Sequence, residues 1–239
     1  MKFNWDKVLL IIMLIFSIGL FYSSNVINNN RNIDDIKISI LPKSQYFISS
    51  DSILKVIDPN LNKIKGSKVL FSLEKIIDSI SYVEKSQISK TVGGNLNIEI
   101  KQNKPIARII TDDSMFYLSE NLTFMNLSKL QSVKVPLIIG YEKKSSLKFL
   151  GKISFITQND NFLNERISKI IIDKQDNLSV KFRGLDTNIF LGKDIRINEK
   201  IKNLKGFYKR LEEKKELLKY REINLQFENQ IVAIKNQIL

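Results

Sequence analysis

Two short runs, Ser86–Val92 and Leu96–Lys101, carry their apolar residues in alternation: Ile88 and Val92 in the first, Leu96, Ile98 and Ile100 in the second. Period-2 alternation is the pattern of a half-buried strand. Gly93-Gly94-Asn95 lies between them, so the pair reads as a hairpin. This feature constrains the fold most, because a one-residue slip would send one strand's apolar set to the wrong face. A two-residue Gly-Gly loop would set Thr91 against Leu96 and Ser89 against Ile98, polar against apolar. A three-residue loop sets Val92 against Leu96 and Ile88 against Ile100, and this is the predicted register.

The residues before the hairpin complete a small unit. Ile36–Leu41 reads as a strand. Ser49 and Ser50 cap a short helix over Asp51–Ile57 that ends before Pro59, and Ser72 caps a second helix with Leu73, Ile76, Ile77 and Ile80 on one face. The predicted order is β-α-α-β-β.

Upstream, Val8–Tyr22 is apolar apart from Ser17 and Gly19. Fifteen helical residues rise roughly 22 Å, but Trp5 to Ser24 gives about twenty, near the length that crosses a hydrocarbon core of roughly 30 Å. Aromatic residues stand near both ends, so Trp5, Val8, Leu14 and Tyr22 are read as membrane-anchor residues. Lys2 and Lys7 precede the segment and no Lys or Arg follows until Arg31, which places the N-terminus in the cytoplasm and the bulk outside. A cleaved secretory signal is the competing reading, since Ser17-Ile18-Gly19 offers small residues at a peptidase spacing. The apolar run continues through Leu20-Phe21-Tyr22, which favours an anchor. The predicted layout is a tail over 1–7, an anchor over 8–24, an Asn-rich linker over 25–35, a small domain over 36–103 and a larger one over 104–239.

The larger region opens at Lys104-Pro105. Strands are predicted at Ile106–Thr111 and Met115–Leu118 around Asp112-Asp113-Ser114, at Val135–Ile139, and at Ile167–Asp173, Leu178–Phe182 and Asn188–Leu191. Helical signals run from Leu147 to about Asn164. Asn198–Tyr220 is predicted as a helix with Ile201, Leu204, Tyr208, Leu211, Lys215 and Leu218 on one stripe. That stripe reads as core-facing in preference to a coiled-coil seam. A terminal hairpin, Glu222–Phe227 and Gln230–Lys235, would lie at a sheet edge, where unpaired backbone groups can accept a strand from another chain. The fold class expected is α+β, with a mainly antiparallel sheet in the larger domain.

Composition narrows the chemistry. The chain has no Cys and no His, which removes thiolates, disulfides and the commonest general base and metal ligand. Asp112-Asp113 reads as a solvated turn and Glu212-Glu213 as a solvated helix face. Ser-x-x-Lys, the spacing of some envelope serine enzymes, occurs at Ser52/Lys55, Ser72/Lys75 and Ser145/Lys148. With 38 Lys and Arg in 239 residues, matches of this kind arise by chance. No catalytic, cofactor-binding or metal-binding residue is assigned. The net charge of +13 is spread along the chain, with short concentrations at Lys143-Lys144 and Lys214-Lys215, and points to anionic lipid or envelope polymer over nucleic acid.

Tyr82-Val83-Glu84-Lys85, the run Gly93-Gly94-Asn95-Leu96-Asn97-Ile98-Glu99-Ile100-Lys101-Gln102-Asn103-Lys104-Pro105-Ile106-Ala107-Arg108-Ile109, then Phe116-Tyr117-Leu118 with Met125, and Val135-Pro136-Leu137-Ile138-Ile139-Gly140 together resemble the bacterial cell-division FtsQ/DivIB family. Ser119 stands where that family usually has Asp, and Leu122 where it usually has Gly, so Asn121 is expected to supply the left-handed residue of that turn. The small unit resembles a POTRA domain, a partner-handling module also found in outer-membrane assembly proteins. The resemblance implies a non-catalytic division scaffold in the inner membrane at the division site. It also implies partners of the FtsB–FtsL type, together with the septal cell-wall synthase, and no cofactor. By order of elements, the partner-binding edge falls at Ile231, Val232, Ala233 and Ile234, with Phe227 on the preceding strand as an apolar anchor. The rival reading is a membrane-tethered POTRA-type chaperone for envelope proteins.

Overall fold

The computed structural model describes residues 5–30, 33, 35–43, 47–61, 67–91, 93–142, 145–193, 195–228 and 230–236. Helix α1, Trp5–Asn30, carries the apolar segment and continues past the boundary expected at Ser24 into the Asn-rich stretch. Trp5–Ile27 is long and apolar enough to cross a membrane, with a mean hydropathy of 2.1 and nothing packed over it. The chain divides into two compact units, Met1–Gln102 and Asn103–Leu239.

In the first unit, α1 is followed by β1 (Ile36–Leu41), α2 (Ser50–Leu61), α3 (Ser67–Asp78), β2 (Val83–Lys90) and β3 (Leu96–Gln102). The sheet order is β1-β3-β2, with β1 parallel and β2 antiparallel to β3. Ile53 and Ile57 of α2, and Leu73 and Ile77 of α3, recur at i, i+4 and are buried against Ile88, Leu96, Ile98 and Ile100. Each such side chain contributes about 1.5–3 kcal/mol of burial.

Three local expectations are corrected here. The hairpin pairs Ile88 with Ile98 and Lys90 with Leu96, a slip of two residues from the predicted register. Because the slip is even, the apolar residues stay on the core face, and Ile88 meets another Ile as before. The loop closes through Thr91, whose N–H donates to Asn95 O at 2.9 Å and whose hydroxyl accepts the Asn95 N–H at 3.1 Å. Val92, paired with Leu96 in the prediction, lies outside the described residues. Helix α2 does not stop before Pro59 but includes it. Pro59 falls in the last turn, and the carbonyl of Lys55 that loses its donor belongs to an exposed residue, where water can replace it. Ser72 is not a cap but a mid-helix residue, its hydroxyl donating to Val69 O at 2.7 Å; α3 begins at Ser67.

The second unit holds β4 (Pro105–Ile110), β5 (Met115–Ser119), β6 (Phe124–Met125), β7 (Leu137–Ile139), α4 (Leu147–Asn159), α5 (Asn161–Arg166), β8 (Ile167–Ile172), β9 (Leu178–Phe182), β10 (Asn188–Gly192), α6 (Ile197–Glu213), β11 (Tyr220–Asn224) and β12 (Val232–Lys235). One nine-stranded sheet runs β12-β11-β10-β9-β8-β7-β4-β5-β6. It is mixed. Five neighbouring pairs are antiparallel, and β4/β7, β7/β8 and β10/β11 are parallel. The last two parallel pairs are joined through helices, α4 with α5 and α6, as parallel neighbours require. All three helices bury apolar residues in one core with the strands, among them Leu150 and Ile153 of α4, Leu163 of α5, and Ile201 and Leu204 of α6.

Two further sequence expectations differ from the structure. Leu122 itself, not Asn121, adopts the left-handed conformation, with φ of 59°. Leu122 N–H donates to Ser119 O, and Ser119 exchanges bonds with Thr123. The Leu122 side chain lies over Gly151 of α4, where an added Cβ would fall 2.1 Å from Leu122 Cδ2. Packing on the helix thus offsets the backbone strain. The C-terminal helix is shorter than predicted: it ends at Glu213, Lys215 turns left-handed at φ 56°, and Leu218 is exposed in a 3-10 turn, Leu217–Lys219.

Asp160 caps α5 by accepting Leu163 N–H at 3.1 Å, and pairs with Lys205 of α6. Burial alone would raise its carboxyl, but Lys205 and the capping amides hold it below the usual value. A depressed folded value means stability that is present above the unfolded pKa and lost as pH falls through the folded one. Asp160→Ala is expected to cost about 1–2 kcal/mol at pH 7. In denaturation curves that difference should shrink below about pH 4, near the unfolded Asp value.

Candidate functional site

Strand β12 closes one end of the nine-stranded sheet; the other end is the two-residue β6. β12 pairs with β11 through Asn224/Val232, Ile223/Ala233 and Glu222/Ile234. Ile231 and Ala233 pack against the core, whereas Val232 and Ile234 are exposed. Phe227, expected on the preceding strand, instead lies in the connection between β11 and β12 and is half exposed. Ile231 immediately precedes the strand.

Backbone direction along this edge follows from a neighbouring bond. Leu225 N–H donates to Phe190 O at 2.9 Å, so residue 225 faces β10. Alternation turns residues 223 and 225 toward β10 and residues 222 and 224 toward β12. Their partners, Ile234 and Val232, therefore point inward, as does Asn236, whose N–H donates to Lys219 O at 2.8 Å. Ala233 and Lys235 turn their N–H and C=O outward, away from β11. These are the groups an added strand would meet.

A groove of about 490 Å³ adjoins this edge, lined by Lys202, Asn203, Gly206, Phe207 and Arg210 of α6 and by Gln230 and Ile231. Phe207 and Ile231 supply apolar walls, Lys202 and Arg210 the charge, and no carboxylate lines it among the described residues. Gly206 has open space where a side chain would stand. Arg196, at the start of α6, pairs with Glu228 and ties the β11–β12 connection to the helix. Beneath the edge, Phe207 meets Tyr220 edge-on, with ring centroids 6.0 Å apart. Glu216 is held below the usual carboxylate value by its bond from Lys219 and by the nearby charges of Lys235 and Lys214. Of the groove residues only Ile231 is singled out by the sequence; those of α6 are not. Gly206, a poor helix former inside a charged helix, was the one signal that could have pointed there.

Trp5, Val8, Leu14 and Tyr22 all lie on α1. Asp112 and Asp113 are exposed in the β4–β5 turn, and Glu212 and Glu213 are exposed at the end of α6. The three Ser-x-x-Lys serines are engaged locally. Ser52 Oγ pairs with Ser49 Oγ, Ser72 Oγ with Val69 O, and Ser145 Oγ accepts Glu142 N–H at 3.0 Å. Lys143-Lys144 lies outside the described residues.

A second polar cluster centres on Tyr117, which is fully buried. Its hydroxyl accepts Arg108 Nη2–H at 2.6 Å and Val133 N–H at 3.1 Å, and the guanidinium lies 4.9 Å from the ring centroid. Burial would raise the phenol, but Ser132, Val133 and Arg108 hold it below its ordinary value. Arg108, on β4, thereby pins the segment between β6 and β7 to the sheet.

Comparison with known proteins places this sheet. No curated protein matches the chain. The family described as "FtsQ/DivIB, C-terminal related" matches residues 104–234, more than half of the chain and nearly all of the second unit, from the start of β4 into β12. The chain belongs to the FtsQ/DivIB family, which carries a role in cell division.

Proposed function

We propose that this protein is a non-catalytic division scaffold, anchored by α1 with its N-terminus in the cytoplasm and both folded units on the periplasmic side. It recruits septal proteins of the FtsB–FtsL type by adding a partner strand to β12. The observation that carries the reading is the outward backbone of Ala233 and Lys235, on a terminal strand with no neighbour on its far side among the described residues. Main-chain bonds would supply affinity, and the flanking groove between Phe207 and Ile231 would take a side chain of the partner.

The small POTRA-like unit supports this reading over the chaperone alternative. Its β2 edge is covered by carboxylates of α3: Asp78 Oδ1 accepts Ser86 N–H at 2.6 Å, and Glu74 Oε1 accepts Ile88 N–H at 2.7 Å. A client strand adding at the β2 edge would have to displace both.

The test is binding of the full chain in detergent to the periplasmic segments of its own organism's FtsB–FtsL pair. Ala233→Pro removes an outward donor while leaving the β11 bonds intact, and is expected to weaken binding at least about tenfold with the fold retained. Val232→Pro removes an inward donor and should loosen β12 itself. Full binding by a folded Ala233→Pro variant would reject strand addition, and no binding by the wild type would reject the recruitment role.

A further inference from the structure

Helix α3 presents an unusual outward face. Phe71 is 58% exposed, Ile76 is 40% exposed, and Lys75 Nζ lies 4.6 Å from the Phe71 ring centroid. Both acids of the helix are committed to β2, Glu74 to Ile88 and Asp78 to Ser86, so the outward face keeps its cation without a neighbouring free carboxylate on the same helix. The sequence around the start of α3 has the same bias: between Leu61 and Leu73 it contains Lys63, Lys65 and Lys68 and no Asp or Glu.

The register shows which end of the unit this is. Asp78 lies by Ser86 and Glu74 by Ile88, so α3 runs antiparallel to β2, and its preceding turn, with Phe71, approaches the Lys90 end of the strand. Lys90 pairs with Leu96, and Leu96 with Ile36, the first residue of β1. Phe71 and the point where the chain arrives from α1 therefore share one end of the sheet. Helix α1 ends at Asn30, and the five residues 31–35 can reach at most roughly 18 Å. If α1 spans a bilayer, this end of the unit faces its surface.

We propose that Phe71 and Lys75 dock this end of the small unit onto an anionic lipid surface, the aromatic ring entering the headgroup region and the ammonium pairing with lipid charge. Aromatic side chains favour that interface, and basic residues near an anionic leaflet are attracted within a Debye length. The docking rests on the membrane-anchor reading of α1. Its effect would be to fix the small unit on the membrane.

The experiment uses the full chain reconstituted into vesicles with acyl-chain-brominated lipids, of phosphatidylcholine alone or with phosphatidylglycerol. Trp5 is the chain's one tryptophan and reports the anchor. The double variant Trp5→Phe, Phe71→Trp moves the reporter to α3. In anionic vesicles the α3 reporter should be quenched and blue-shifted. Adding Lys75→Gln should lower the ratio of quenched to water-like emission about fivefold, the factor one basic residue contributes at such a surface. Water-like emission in both vesicle types, or equal quenching in both, overturns the proposal while a quenched Trp5 keeps the anchor. An unquenched Trp5 removes the anchor reading and the docking with it.

Discussion

Gly140→Ala should leave the second unit less stable by about 3 kcal/mol or more. Gly140 follows β7 and has φ of 82°, a region L side chains avoid. An alanine Cβ there would fall 2.3 Å from the carbonyl oxygen of Ile172, at the end of β8, the strand paired in parallel with β7. The obstacle is backbone in the middle of a nine-stranded sheet, and Ile172 is itself buried, so it cannot move aside as a side-chain tip would. Strain and collision therefore add. Thermal melting of the full chain in detergent should show the loss in the transition of the second unit. A variant as stable as wild type would mean that the chain leaves β7 by another route. Gly151→Ala should be milder, because the atom it meets is a methyl of Leu122, which can rotate.

The same glycine shows what could be read from the sequence. Val135–Ile139, just before Gly140, is legible as a strand, and Ile167–Asp173 and Leu178–Phe182 are legible from the turn residues that bound them; the alternations of β2 and β3 are legible because burial of one face leaves a period in the chain. What escaped were quantities fixed by partners distant in sequence. The hairpin register lies two residues from the predicted one because both registers bury Ile88, Leu96, Ile98 and Ile100, and only closure through Thr91 and Asn95 separates them. Local propensity favours Asn121 over Leu122 because it disfavours a left-handed leucine, while the compensating contact lies on α4.

The edge strand was legible in part. Terminal position suggests an edge strand over Gln230–Lys235, and the family resemblance, by order of elements, puts its partner-binding part at Ile231–Ile234, but neither says which backbone groups point outward; that depends on the bond from Leu225 to Phe190, across another pairing. The groove was illegible because α6 brings Lys202, Gly206 and Arg210 beside Ile231 only after the β10–α6–β11 crossover has formed. The predicted stripe ran on to Lys215 and Leu218 because periodicity does not register the left-handed turn at Lys215.

Lys200→Met should cost about 2–3 kcal/mol, although it replaces a charged group in a nearly buried position with an apolar one of similar length. Intuition suggests the opposite, since burying an ammonium is unfavourable. Lys200 is 7% exposed, however, and its Nζ donates to Leu191 O at 2.6 Å and to Lys193 O at 3.3 Å. Those carbonyls stand where β10 ends and the chain turns into α6, beside Gly192 at φ 69°. Methionine would leave the Leu191 carbonyl buried without a donor, and the desolvation of that group exceeds the relief from removing the charge. Because Lys200 holds α6 against β10, and α6 forms one wall of the groove beside β12, the loss should extend to the proposed partner binding more strongly than that of Asp160→Ala, since Asp160 caps α5 and meets α6 through the partly exposed Lys205. Urea titration of the two variants beside a binding measurement would separate these effects. If Lys200→Met matched wild type in both, the ammonium would be incidental to the junction and α6 would be held by its apolar face alone.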